Sequence, residues 1–176
     1  MATGAGRQKS PLSLKGRALA LLAQREHSEL ELRRKLLRHA RAVAAPDEDL
    51  PDGDKAGADV DAVIDWLRAH AFFSEERFVE SRVHARASRY GNLRIRQELA
   101  QHGVALSPQA AQALKDSELE RATEVWRRKF GAVAPDPAGR ARQSRFLAQR
   151  GFSPDVISRV LRAAREPRES AANDIE

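Results

Sequence analysis

The sequence predicts an all-α protein made of three tandem three-helix repeats that form an elongated array. Three observations lead there. A short phrase recurs as RKLLRHA (34–40), QELAQHG (97–103) and RFLAQRG (145–151), placing Leu36, Leu99 and Leu147 in equivalent positions. Each unit of such a repeat must bury its apolar face against a neighbour, so a tandem pattern reads as a stacked helical array. No segment alternates apolar and polar residues with a period of two, as a half-buried strand would. Aromatic residues make up 5% of the chain and charged ones 32%, which suits a thin core better than a deep one.

The elements follow in order. Residues 1–12 read as a polar, flexible lead. A first helix covers 14–25, with Leu14, Ala18, Leu21 and Leu22 on one face. Ser28 and Glu31 form a capping box that opens a second helix to about Arg41. Residues 42–58 lack apolar periodicity and read as a disordered acidic loop, after which Val60, Val63, Ile64 and Leu67 mark a third helix. These make repeat 1, 13–72. Repeat 2, 73–115, starts at the N-cap Ser74, breaks at Tyr90-Gly91-Asn92 and resumes to Gly103. Ser107-Pro108 then opens a short third helix. Repeat 3, 116–165, opens at Ser117 with a second capping box to Glu120. Asp136-Pro137 and Ser153-Pro154 start its other two helices, and 166–176 is a flexible tail. Nine helices result.

Charge narrows the function. The net charge is +6, but residues 46–61 carry seven acids (Asp47, Glu48, Asp49, Asp52, Asp54, Asp59, Asp61) against Lys55. The rest is therefore +12, which favours an anionic partner. The chain has no cysteine, excluding disulfides and thiolate metal sites. The first sixteen residues hold no apolar signal core, and the run Ala18–Ala23 is too short to span a membrane. The chain reads as soluble and cytoplasmic. Neither GxxxxGK[ST] nor GxGxxG occurs. The five histidines (His27, His39, His70, His84, His102) show no HxxxH spacing. His39 and His102 share the repeat position of Arg150 and read as cations near helix C-termini. No catalytic, metal or cofactor residue is assigned, and the chain reads as a non-enzyme.

Basic residues recur on the middle helix of each unit. Arg33, Arg34, Lys35 and Arg38 lie in the first, Arg94 and Arg96 in the second, and Arg140, Arg142, Arg145 and Arg150 in the third. A subset lining one face would meet an acidic protein surface or phosphates. Tyr90, beside a glycine break and basic residues, joins them as a candidate contact. Trp66, Phe72, Phe78, Trp126, Phe146 and Phe152 read as core, and Gly91, Gly103 and Gly151 as backbone punctuation.

Four phrases taken together resemble the RecX family: LLAQREHSELELRRKLL (21–37), FFSEERFVESRVHARASRYGNLRIRQELAQHGV (72–104), WRRKFG (126–131) and RFLAQRGFS (145–153). The resemblance covers roughly 14–165, and the acidic insert departs from it. It implies nine helices in a curved array and no cofactor; the chain itself reads as a monomer, because the stack supplies its own core. It also implies a regulator that binds the RecA recombinase filament on single-stranded DNA. There the family limits filament growth and suppresses ATP hydrolysis, strand exchange and co-protease activity, damping recombination and the SOS response. The residues alone leave two other readings open. One is a direct DNA-binding protein with helix-turn-helix-like units; the other is a plain helical scaffold.

Overall fold

The computed structural model describes residues 11–43 and 53–165, and every regular element among them is a helix. Two compact units divide the chain, 1–78 and 79–176.

In the first unit, α1 (Leu14–Leu22), α2 (Glu29–Val43) and α3 (Gly53–Ala69) pack on one another as a three-helix bundle. Its core holds Ala18 and Leu21 from α1, Leu32 and Leu36 from α2, Val60, Val63, Ile64 and Leu67 from α3, and Phe73. Ser13 caps α1 by accepting from the Gly16 amide at 3.2 Å, and Ser28 caps α2 by accepting from Glu31 N at 3.2 Å. The return half of that capping box is replaced. The Glu31 carboxylate accepts instead from Arg25 and pairs with Lys35 at 3.3 Å.

Helix α3 corrects the loop expected at 42–58. It begins at Gly53, and α2 runs to Val43, so only 44–52 lie outside the described residues. The apolar stripe starts one turn earlier than Val60, at the buried Ala56. Gly57 is tolerated within it; a Cβ there would meet only the Arg33 guanidinium at 3.9 Å.

The three repeat phrases share their buried leucines but not their helix ends. Leu36, Leu99 and Leu147 are all fully buried. Ala40, however, is not a stop like Gly103 or Gly151, because α2 continues through it. The left-handed turn of the first unit follows α3 instead. Ala71 has φ 57°, and Phe72 N donates to Leu67 O at 2.9 Å. Gly103 (φ 73°) and Gly151 (φ 80°) make the same turn, with Val104 N donating to Leu99 O and Phe152 N to Leu147 O. A left-handed alanine costs about 1 kcal/mol or more relative to glycine. Ala71→Gly is therefore expected to raise the stability of the first unit by about 1 kcal/mol in urea unfolding.

Helix α4 (Glu75–Ala87) opens on Ser74, whose hydroxyl accepts from Arg77 N at 3.2 Å. In the second unit follow α5 (Asn92–Gln101), α6 (Pro108–Phe130), α7 (Pro137–Gln149) and α8 (Pro154–Ala163). Ser107, Asp136 and Ser153 cap α6, α7 and α8, each with proline at the first helical position. Ala122, Val125, Trp126, Leu147, Phe152, Val156, Ile157 and Val160 form the core.

The described residues contain eight helices, not nine, because α6 fuses two expected elements. Ser117 does not cap a new helix. It lies within α6 and turns its hydroxyl back onto Ala113 O at 2.9 Å. Between Gln109 and Phe130 there is neither glycine nor proline, and a capping box without a preceding breaker yields to helix propagation. Three aromatic residues expected in the core are less buried than that. Phe72 is 48% exposed, because the left-handed turn at Ala71 directs it outward while Phe73 enters the core. Trp66 and Phe146 are only half-buried.

Candidate functional site

The basic residues of α2 divide by what they touch. Arg33 holds Asp61 of α3 through both guanidinium nitrogens, the longer bond being 2.9 Å. Lys35 pairs with Glu31 and lies 2.9 Å from His27 Nε2. Arg33 therefore ties α2 to α3, and Lys35 ties α2 to the turn before it. Arg34 and Arg38 are exposed and form no ion pair among the described residues.

His27 is 1% exposed, and its Nδ1 lies 2.9 Å from Arg25 O. A ring that donates from Nδ1 and accepts the Lys35 proton at Nε2 must be neutral. Burial pushes its pKa below the ordinary value of 6.5, helped by the nearby Arg25 and Lys35 charges. Partial burial of Glu31 opposes its ionisation. Hydrogen bonds from Arg25 and Lys35 outweigh this and lower its pKa to about 2. In both cases the unfolded chain binds the proton more readily, so stability falls with pH. The first unit should lose stability as pH drops below 6.5 through His27. A second loss should follow between 4.5 and about 2 through Glu31. Urea midpoints at pH 7.5, 5.5 and 3.5 check this, and His27→Gln should abolish the first step while leaving the second.

In the second unit, Arg82 and Arg86 of α4 converge on Glu98 of α5 at 3.4 and 3.0 Å. The Glu98 hydrogen bond raises the Arg86 pKa further. Arg94 is exposed, with its guanidinium 5.0 Å from the Tyr90 ring centroid, and Arg86 stands 5.9 Å from the same ring. Arg96 points to solvent without an ion pair among the described residues. On α7, Arg142 and Arg145 are exposed, whereas Arg140 donates to Pro135 O and Ala134 O and ties down the loop before the helix. Arg150 places its guanidinium carbon over the Phe146 ring, 3.8 Å from the centroid. His39, expected as a helix-end cation, instead places Nε2 2.7 Å from Leu12 O.

Beneath this surface lies a polar joint that the sequence reading missed. Arg121 of α6 donates to Ala87 O (3.1 Å), Tyr90 O (2.8 Å), Asn92 Oδ1 (2.6 Å) and Leu114 O (3.0 Å). The buried Glu118 accepts from Asn92 N at 3.0 Å. Burial pulls the Arg121 pKa below its usual value, partly offset by Glu118. One guanidinium thus fixes the end of α4 and the start of α5 against α6, and so sets where Tyr90, Arg94 and Arg96 stand. The absence of any breaker around Arg121 was the available signal. Arg121 also stands seven residues after Leu114 and four before Val125, on the buried face of α6.

Two grooves open on this unit. One, about 520 Å³, runs between Arg82, Arg86, Arg94, Glu98 and His102. The other, about 430 Å³, is lined by Arg89, Tyr90, Arg128, Lys129, Phe146 and Arg150. No group of His, Cys, Asp or Glu among the described residues could hold a metal ion, and none of their helices is long and apolar enough to cross a membrane.

Comparison with known proteins places this arrangement. The second three-helix domain of RecX matches residues 74–114 and the third matches 116–161. The regulatory protein RecX of Leptothrix cholodnii is 51% identical over 155 residues, covering 87% of this chain and 90% of its own. That of Ralstonia nicotianae is 48% identical, covering 89% and 91%. The crystal structure of RecX from Lactobacillus salivarius superposes with a TM-score of 0.61 at 15% identity, over 86% of this chain and 94% of that one, which is a likeness of fold. The chain belongs to the RecX family of regulatory proteins.

Proposed function

We propose that this chain, as a monomer needing no cofactor, binds the RecA filament on single-stranded DNA and inhibits it in the cytoplasm. The outcome is less filament growth, ATP hydrolysis, strand exchange and co-protease activity, and hence damped recombination and SOS response. The observation that carries this reading is the placement of exposed, unpaired arginines on the middle helix of each repeat: Arg34 and Arg38, Arg96, and Arg142 and Arg145. A polymer that repeats its own surface can be met by several such modest contacts at once, each raising the effective concentration for the next. Arg33 and Lys35 serve from behind by holding α2 in place.

The test is ATP hydrolysis by the cognate recombinase on single-stranded DNA, titrated with this protein. Inhibition at well below one copy per recombinase is the expected result; unchanged hydrolysis would overturn the reading. Reversing Arg94 and Arg96 to glutamate should weaken inhibition by about ten-fold or more. Both side chains are exposed, so stability should shift by less than about 1 kcal/mol. Full inhibition by that variant would remove the α5 face from the contact.

A further inference from the structure

We infer that the groove lined by Arg89, Tyr90, Arg128, Lys129, Phe146 and Arg150 holds one unpaired nucleotide of single-stranded nucleic acid directly. Its composition points to that ligand class. Four of these six side chains are cationic, two are aromatic, and none is acidic. Arg89 and Lys129 make no ion pair among the described residues. Arg127 and Arg128 share the single carboxylate of Glu124, so that turn keeps excess positive charge. The Arg150 guanidinium already rests on the Phe146 ring at 3.8 Å, and a guanidinium plane backed by an aromatic ring is a platform on which a base stacks. Tyr90 lines the same groove, and its hydroxyl makes no hydrogen bond with the described residues.

Arg121 and the Gly91–Arg150 backbone bond hold these walls together, so the groove is pre-organised. Its volume of about 430 Å³ lies in the range of small-ligand sites, roughly 300–1,000 Å³. A splayed-out nucleotide fits such a space, whereas a base pair within a duplex cannot present its face there. The base stacks on Arg150, and the flanking phosphates take Arg89, Arg128 and Lys129. An acidic peptide would use the cations but gain little from the flat platform.

The inference goes beyond the filament reading, because it concerns the bare strand, and its test contains no recombinase. Fluorescence anisotropy of a labelled 15-residue oligothymidylate should show saturable binding that is weaker for a duplex of equal length. Arg150→Lys keeps the charge and removes the plane. It should weaken binding by about five-fold or more with an unchanged salt slope. Lys129→Ala should instead flatten the slope of log K against log salt by about 0.7. Circular dichroism and urea midpoints confirm that both variants fold. Photocrosslinking of a 5-iodouracil oligonucleotide to the unmodified protein should label Tyr90, because the Arg150 guanidinium stands between the base and Phe146. Wild-type affinity in Arg150→Lys would overturn the inference. So would equal competition by inorganic polyphosphate or an acidic peptide per charge, or crosslinks confined to residues before 79. Failure here would leave ATPase inhibition standing, and loss of inhibition would leave this binding standing.

Discussion

Gly91→Ala is expected to destabilise the second unit by about 3 kcal/mol or more, the scale of severe overpacking. Gly91 has φ −79°, so its conformation is open to any residue. The obstacle is space. A Cβ would sit 2.2 Å from Gly151 O and 2.3 Å from Phe152 N. Both neighbours are backbone atoms, and no side chain can swing aside. At this point Gly91 N donates to Arg150 O at 2.9 Å and Leu93 N to Gly151 O at 3.0 Å. The turn that ends α7 thereby supplies two carbonyls to the start of α5. An added methyl must open both bonds and part the helices. Gly103→Ala is the control. It shares the left-handed φ of Gly151 and should cost only that strain, about 1–2 kcal/mol. Urea unfolding of the two variants gives the comparison, and a Gly91→Ala loss no larger than that of Gly103→Ala would refute the close-contact account.

Arg121→Met should cost about 3 kcal/mol or more, because it strands several carbonyl oxygens and leaves Glu118 as a buried charge without its compensating cation. Arg121→Lys should not restore stability. One ammonium cannot reach the carbonyls of Ala87 and Tyr90 and the Asn92 amide oxygen together, whereas the planar guanidinium fork does. Arg121→Met combined with Glu118→Gln should recover part of the loss. If the single variant unfolds at the wild-type urea concentration, the joint is ornamental and α5 is held by its apolar face alone.

Much of the fold was legible because its signals are local. Ser-Pro and Asp-Pro pairs mark three helix starts, and Gly103 and Gly151 mark two ends, since each changes what the backbone can do where it stands. The misreadings arose where local and long-range preferences compete. Ser117 and Glu120 look like a capping box, but nothing before them breaks the helix, so the hydroxyl turns inward. Ala71 takes a left-handed turn that sequence would assign to glycine, and this places Phe72 rather than Phe73 in solvent. The candidate site was legible as a set of basic residues but not as partners. Arg33 and Arg34 are neighbours in sequence, yet the first faces Asp61 and the second faces water. Arg150 and Phe146 could have been paired from their four-residue spacing on one helix. Arg89, Arg128 and Lys129 come together only because α4 and α6 are locked by Arg121.

Helix α6 places an unusual restriction on how this chain can change length. Its 23 residues run without interruption from Ser107 to Gly131, and they pack against α5 near one end and against α7 and α8 near the other. A loop between repeats would absorb an inserted or deleted residue. A continuous helix converts it into a rotation of about 100° and a shift of about 1.5 Å. Everything beyond the change would then turn away from the face it must cover. Gains and losses of sequence are therefore confined to the loops on either side of α6, or to additions of whole helical turns, and the distance in residues between Leu114 and Trp126 acts as a fixed gauge.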